Sequence, residues 1–293
     1  MANVTRHAPA KINLFLHVMG KRADGYHLLE SLVVFTEYGD EIQVIEDNKL
    51  SLEIVGEFSS ALSNLPKENN LVWRAAIALQ NYLSESKDSK SCGARIILTK
   101  NLPIASGIGG GSADAVATIH ALCELWKIDI NDKKISEIAL SLGSDVPVCL
   151  YGKTALMRGV GDEITEVTLQ EKPYILLINP NIPLATADVF KDFSKKPFFS
   201  SKQSFILSQF SCAEITNEMG YGNALEAIAI KKLPVIGEII ESLRITQGCL
   251  FARMSGSGAT CFALYNDKIE ADNAVKKLKE IYKQAWCVST RII

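Results

Sequence analysis

A chain of 293 residues, 47% hydrophobic and 22% charged, has the composition of a soluble globular protein and is long enough for two domains with substantial cores. Its formal net charge of -2 excludes a general attraction to nucleic acid or an anionic membrane, so any phosphate binding has to be local. The seven cysteines (Cys92, Cys123, Cys149, Cys212, Cys249, Cys261, Cys287) are dispersed and form no C-x-x-C pair, which reads as buried thiols with no disulfide frame or zinc site.

Ala10 to Val18 alternate strictly and predict a strand, with Ile12, Leu14 and Leu16 on one face and Lys11, Asn13, Phe15 and His17 on the other. Lys11 and Asn13 therefore leave the strand on the same side, about 7 Å apart by strand geometry. A lysine in that place either snorkels to solvent or takes part in chemistry. A turn at Arg22 to Gly25 leads to Tyr26 and His27, a pair suited to recognising a ring and equally suited to closing a strand. Strands are expected near Ser31 to Phe35, Glu41 to Glu46 and Leu50 to Val55, with a turn at Gly39-Asp40. Asn69 and Asn70 are N-cap candidates for a helix bearing Leu71, Ala75, Ala76, Leu79 and Leu83. Ser84 to Ser91 is polar and reads as an exposed loop.

The most informative stretch runs from Ala94 to Trp126. A strand pattern (Ala94, Ile96, Leu98) is followed by Leu102-Pro103-Ile104-Ala105-Ser106-Gly107-Ile108-Gly109-Gly110-Gly111-Ser112-Ala113-Asp114. Then Val116, Ile119, Leu122, Cys123 and Trp126 recur at helical spacing. Pro103 and the glycines cannot continue a helix, so the order is strand, glycine loop, helix. That order aims unpaired amides and the positive end of a helix dipole into one concavity, which suits a phosphate. The other reading is a turn that only lets strand and helix pack closely. Neither common phosphate motif fits: Ser112 stands where a dinucleotide fingerprint needs glycine, and no Lys follows Gly111 as a Walker loop requires.

A further helix carrying Ile135, Ile138, Ala139 and Leu142 is stopped by Gly143, and Asp145 follows just before Pro147. Asp145 is placed to be partly buried on a rigid loop; it could also merely cap the next short helix. Polar Thr165 to Lys172 marks a domain boundary, giving 1–165 and 166–293. Thr186 and Phe190 lie near the start of a short helix, and residues 194–211 show no clear periodicity. Helices are expected from Asn223 and around Val235 to Leu243, then a second small-residue loop, Arg253 to Thr260, between two strands. A last helix and strand close the chain. No apolar run approaches the ~18 residues that cross a bilayer, and no signal-peptide hydrophobic region opens the sequence, so the expectation is a cytoplasmic protein.

Ala8-Pro9-Ala10-Lys11-Ile12-Asn13-Leu14, the Pro103 to Ala115 stretch, and Met254-Ser255-Gly256-Ser257-Gly258-Ala259-Thr260 together resemble the three ordered motifs of the GHMP kinases. Arg22 to His27 and Gly143 to Pro147 narrow the resemblance to the branch that acts on a cytidine diphosphate-linked methylerythritol in the non-mevalonate isoprenoid pathway. Ala113 stands where the family often has serine, and Ser144 where alanine is usual. The resemblance implies an α+β fold: an N-terminal ribosomal protein S5 domain 2-like domain and a C-terminal ferredoxin-like domain. It implies transfer of the ATP γ-phosphoryl group to the substrate 2-hydroxyl with Mg²⁺ accompanying ATP, Asp145 as general base and Lys11 stabilising charge. ATP would be held by Pro103, Ile104, Ala105, Ser106, Gly107, Ile108, Gly109, Gly110, Gly111, Ser112 and Ala113, with Asn70 and Lys100 near adenine. Asn13, Tyr26, His27, Thr186, Phe190, Ser255, Gly256, Ser257 and Gly258 would bind the cytidine-linked alcohol. No nucleic acid, membrane or obligate protein partner is implied.

Overall fold

The computed structural model describes residues 2–63, 65–85, 92–195, 197–199, 209–211 and 222–293. Most of the loop expected at Ser84 to Ser91, much of 194–211, and Cys212 lie outside the described residues. The chain forms two compact units, each discontinuous in sequence. Unit 1 comprises Met1–Ala10, Gly39–Ile104 and Gly109–Tyr151; unit 2 comprises Lys11–Tyr38, Ala105–Ile108 and Gly152–Ile293.

Two long strands, β1 (Asn3–Lys21) and β2 (His27–Asp47), contribute residues to both units. Within unit 1, β4 (Gly93–Thr99) lies between the end of β2 and β3 (Ser51–Val55). The β2 register is antiparallel, Glu41 opposite Thr99, and the β3 register is parallel, Ser51 opposite Arg95. After a one-turn helix α1 (Ser60–Ser63) come α2 (Leu71–Glu85), α3 (Gly110–Trp126), α4 (Lys133–Leu142) and α5 (Val146–Tyr151). Helices α2, α4 and α5 all pack on α3; Val72, Leu79, Ile119, Leu122, Ile135 and Val148 of these helices are buried, as are Ile42, Ile96 and Leu98 of the strands. Local rules set the helix starts: the Asn70 and Asp132 side chains accept the Val72 and Lys134 amides at 2.9 Å.

The turn expected at Gly39-Asp40 does not form; β2 runs straight through it. Gly39 is there for a different reason, because a Cβ at this position would lie 2.2 Å from the Ala8 carbonyl oxygen. Only glycine lets the two backbones come so close.

Unit 2 contains β5 (Ala155–Gly159), antiparallel to β2 with Leu29 opposite Gly159, then β6 (Glu163–Glu166) and a short parallel pair, β7 (Thr168–Leu169) with β9 (Gln209–Phe210). Its larger sheet is antiparallel throughout, in the order β10-β11-β8-β12, from β8 (Tyr174–Asn179), β10 (Cys249–Met254), β11 (Cys261–Tyr265) and β12 (Trp286–Arg291). Helices α6 (Thr186–Phe193), α7 (Glu226–Lys232), α8 (Val235–Arg244) and α9 (Lys268–Ile281) complete it. Ile236, Ile239, Ile240 and Leu243 of α8 and Ala271, Ala274 and Leu278 of α9 share one core with Leu176, Ile178, Ala263 and Tyr265 of the sheet. The fold is the α+β class expected. Among the described residues the cysteines form no disulfide, and no helix is long and apolar enough to cross a membrane.

Candidate active site

The glycine loop begins and ends in unit 1. Asp40 accepts the backbone amides of Asn101 and Leu102 at 2.6 and 2.8 Å, fixing the chain just before Pro103. The chain returns at Gly109, whose φ of 64° makes it the left-handed N-cap of α3. The first helical bond closes from the Ala113 amide to the Gly109 carbonyl at 2.9 Å, so the amides of Gly110, Gly111 and Ser112 have no intrahelical partner. No acidic side chain occupies this first turn, and the helix dipole adds a positive end. Ala105, Gly107 and Gly109 all have positive φ (49°, 75° and 64°), and residues of that kind alternating along a loop are the pattern of an anion-binding nest. The value at Ala105 was not to be expected from its residue type.

Beneath the start of α3, the Lys100 ammonium lies between two buried carboxylates. It donates to Asp114 at 2.8 Å and forms a shorter ion pair with Asp40. Lys100 is only 2% exposed, so the residue expected near adenine is enclosed by its two partners. Burial, and then Asp40, push the Asp114 carboxyl up from its ordinary value, the Lys100 ammonium offsetting only part of that rise. Burial alone would lower the Lys100 ammonium, but Asp114 and Asp40 outweigh it and leave it raised.

Asp145 immediately precedes α5, the helix that packs on α3, and its carbonyl accepts the Cys149 amide at 3.2 Å. It is half-buried. Asn70 is half-buried at the head of α2 and borders a cavity of about 270 Å³ lined by Leu52, Ile54, Leu62, Leu65 and Pro66.

In unit 2, Lys11 is 3% exposed, so it does not snorkel to solvent as a surface lysine would. Its ammonium donates to Asn13 Oδ1 at 2.9 Å, and Asn13 Nδ2 donates to Ser31 Oγ at 2.7 Å. Ser31 in turn donates to the Phe15 carbonyl at 2.5 Å, which anchors the group on β1. The Lys11 amide donates to the Ile108 carbonyl at 2.9 Å, tying this strand to the loop segment Ala105–Ile108.

The Arg253 to Thr260 loop packs on the same segment. The Thr260 amide donates to the Ser106 carbonyl at 3.1 Å, and a Cβ on Gly256 would lie 2.6 Å from the Gly107 carbonyl oxygen. Ser255 is fully buried; its hydroxyl accepts the Asn13 amide at 3.1 Å and donates to the Gly107 carbonyl at 3.0 Å. Ser257 Oγ meets Thr186 Oγ1 at 2.7 Å. Asn223, read from sequence only as a helix opener, donates to the Met254 and Gly256 carbonyls at 2.9 and 2.8 Å and so holds this loop in shape.

The aromatic group is also assembled in unit 2. The His27 ring stacks on Phe190 at 4.9 Å, its edge faces Phe193 at 5.7 Å, and Ser194 Oγ lies 3.2 Å from Nε2. Burial, then Lys21, lowers the His27 pKa. Tyr26 is 63% exposed on the turn closed by the Gly25 amide to the Arg22 carbonyl. Sequence reasoning passed over Ser31, Asp40, Asp114 and Asn223. Each is a polar residue at a buried position, a signal that periodicity alone does not reveal.

The profile of the GHMP kinases N terminal domain matches residues 70–153, and that of the GHMP kinases C terminal matches 211–284. A 4-diphosphocytidyl-2-C-methyl-D-erythritol kinase of Parvibaculum lavamentivorans is 44% identical over 292 residues, covering 97% of this chain and 96% of the relative. One of Paramagnetospirillum magneticum is 39% identical and covers all of both chains. A crystal structure of 4-(cytidine 5'-diphospho)-2C-methyl-D-erythritol kinase, 29% identical, superimposes with a TM-score of 0.79 over 99% of each chain. A homoserine kinase from Cytophaga hutchinsonii shares the fold at a TM-score of 0.70 and 18% identity. The chain belongs to the GHMP kinases, in the family of the 4-diphosphocytidyl-2-C-methyl-D-erythritol kinases.

Proposed function

We propose that this chain transfers the γ-phosphoryl group of ATP to the 2-hydroxyl of 4-(cytidine 5'-diphospho)-2-C-methyl-D-erythritol, a step of the non-mevalonate route to isopentenyl diphosphate. The observation that carries the reading is 44% identity over nearly the full length of both chains to a relative named 4-diphosphocytidyl-2-C-methyl-D-erythritol kinase. The geometry of each unit supports it. The free amides at the start of α3 and the left-handed residues before them suit a nucleotide's phosphates. The cavity beside Asn70 is large enough for a purine and adds Ser63, Lys67 and Asn69 to its apolar side chains, a mixed lining that suits a flat ring with polar edges.

In this reading Asp145 accepts the proton of the 2-hydroxyl as oxygen attacks phosphorus. Lys11, held in place by Asn13 and Ser31, neutralises charge on the transferring group. The amides of Gly107 to Ser112 hold the triphosphate, and Gly256 to Gly258 line the diphosphate of the acceptor. Tyr26, His27 and Phe190 take the cytosine ring, with Thr186 beside them. Mg²⁺ bound with ATP would supply charge neutralisation to the phosphates. The half-buried Ser112 hydroxyl on the first turn of α3 is a hard oxygen donor of the kind it accepts, and phosphates and water can complete its shell. The GHMP N- and C-terminal domains divide near residue 165.

ADP release, followed with ATP and the cytidine-linked alcohol as acceptor, tests the proposal. Turnover should require the cytidine moiety. Equal rates with mevalonate or homoserine, or no ADP release at all, would overturn it.

A further inference from the structure

The feature left unexplained by this chemistry is the ionic triad beneath the glycine loop. Lys100, Asp40 and Asp114 come from three different elements: the residue after β4, the middle of β2, and the second turn of α3. All three are at most 2% exposed, which is rare for charged groups and costly unless they are paired. Their partners are not scattered. Asp40 Oδ1 takes the amides of Asn101 and Leu102, where the chain is about to enter the loop. Asp114 lies on α3 just after the loop has ended, and the Lys100 ammonium joins the two carboxylates. A Cβ on Gly110 would lie 3.1 Å from Lys100 Nζ and 3.6 Å from Asp40 Oδ2, so the triad sits directly under the first residue of the helix.

The chain thus leaves unit 1 at Ile104 and returns at Gly109 with both ends of the excursion tied to one buried cation. If only burial mattered, apolar residues would serve as well and often better. Directional bonds at both ends fix a distance, which dispersion packing does less strictly. We infer that Asp40 and Asp114 are positioning residues for the nucleotide: acting through Lys100 and the amides of Asn101 and Leu102, they set the separation of the glycine loop's two ends. The inference rests on the proposed kinase reading and extends it. Burial first, and then the neighbouring Asp40, raise the Asp114 carboxyl, so holding a second acid beside Lys100 is costly and is not explained by packing alone.

The test compares Asp114→Leu with Asp114→Asn, whose amide oxygen still accepts from Lys100. For Asp114→Leu the KM for ATP should rise about tenfold, while kcat and the KM for the cytidine-linked alcohol stay within about twofold. Asp114→Asn should restore the ATP KM to within about threefold of the parent. An unchanged ATP KM in Asp114→Leu, or a loss of rate spread over all parameters in step with the folded fraction, would overturn the inference. Should Asp114→Leu yield no folded protein, Asp114→Ala takes its place with the same criteria. A parent protein that releases no ADP would count against the kinase reading itself; an active parent with indifferent variants would count only against the triad.

Discussion

Ser255 donates its hydroxyl proton to the carbonyl of Gly107 across 148 positions of sequence, at 3.0 Å, while accepting the amide of Asn13. One buried oxygen therefore links the segment proposed to hold phosphate with the strand that carries Lys11. Replacing Ser255 by alanine leaves the buried Asn13 amide without this partner, at about 1–3 kcal/mol for an unsatisfied buried group, and removes a donor from the half-buried Gly107 carbonyl. Ser255→Ala should melt several degrees lower and bind ATP more weakly. Calorimetry and steady-state kinetics on one preparation check both effects.

Asp145→Asn keeps the size of the side chain but turns one acceptor oxygen into a donor amide and cannot take a proton. In the proposed mechanism it lowers kcat by ~10²-fold or more, the range for loss of a general base. Lys11→Ala should be comparably damaging, and it also strands Asn13 Oδ1 without its donor. Single-turnover measurements with saturating ATP separate this loss from weaker binding. Wild-type rates in either variant would remove that residue from the mechanism.

Two glycines should fail in different ways. Gly107 has a φ of 75°, and a Cβ there would lie 2.5 Å from the Ser255 carbonyl oxygen, a backbone atom that cannot step aside. Gly107→Ala should lose stability, about 1–3 kcal/mol from the left-handed conformation alone, and be visible in denaturant titration. Gly110 has no such constraint on φ, and its nearest neighbour is the Lys100 ammonium at 3.1 Å. Gly110→Val should fold and mainly raise the ATP KM.

His27 has its pKa lowered below the ordinary 6.5, first by burial and then by Lys21. A group depressed in this way contributes stability that is present above 6.5 and is lost as pH falls through the folded-state value. Its stack on Phe190 should therefore weaken in mild acid. The melting temperature should fall more steeply there than in His27→Gln, and the acceptor KM should rise along with it. Parallel pH profiles for parent and variant would remove His27 from the effect.

Much of the fold could be read from local chemistry. The 3.6-residue spacing of Val116, Ile119 and Cys123 marks α3, that of Ile135, Ile138 and Leu142 marks α4, and the Asn70 cap marks where α2 begins. What stayed hidden depends on distant neighbours. Gly39 looks like a turn residue until Ala8 is seen pressed against it. Lys100 carries no sign in the sequence of the ion pairs that Asp40 and Asp114 make with it. In both cases the deciding partner lies far off in sequence, beyond the reach of any periodicity.

The interleaved make-up of the two units bears on how this polypeptide can be taken apart. Each draws on three separate stretches, so no single cut frees either one whole. A shortened gene encoding the last 142 residues, Gly152–Ile293, would lack the Lys11–Tyr38 pair partner of β5 and the Asn13 amide that Ser255 grips. Protease nicking that leaves both pieces associated should be tolerated far better than expression of either piece alone.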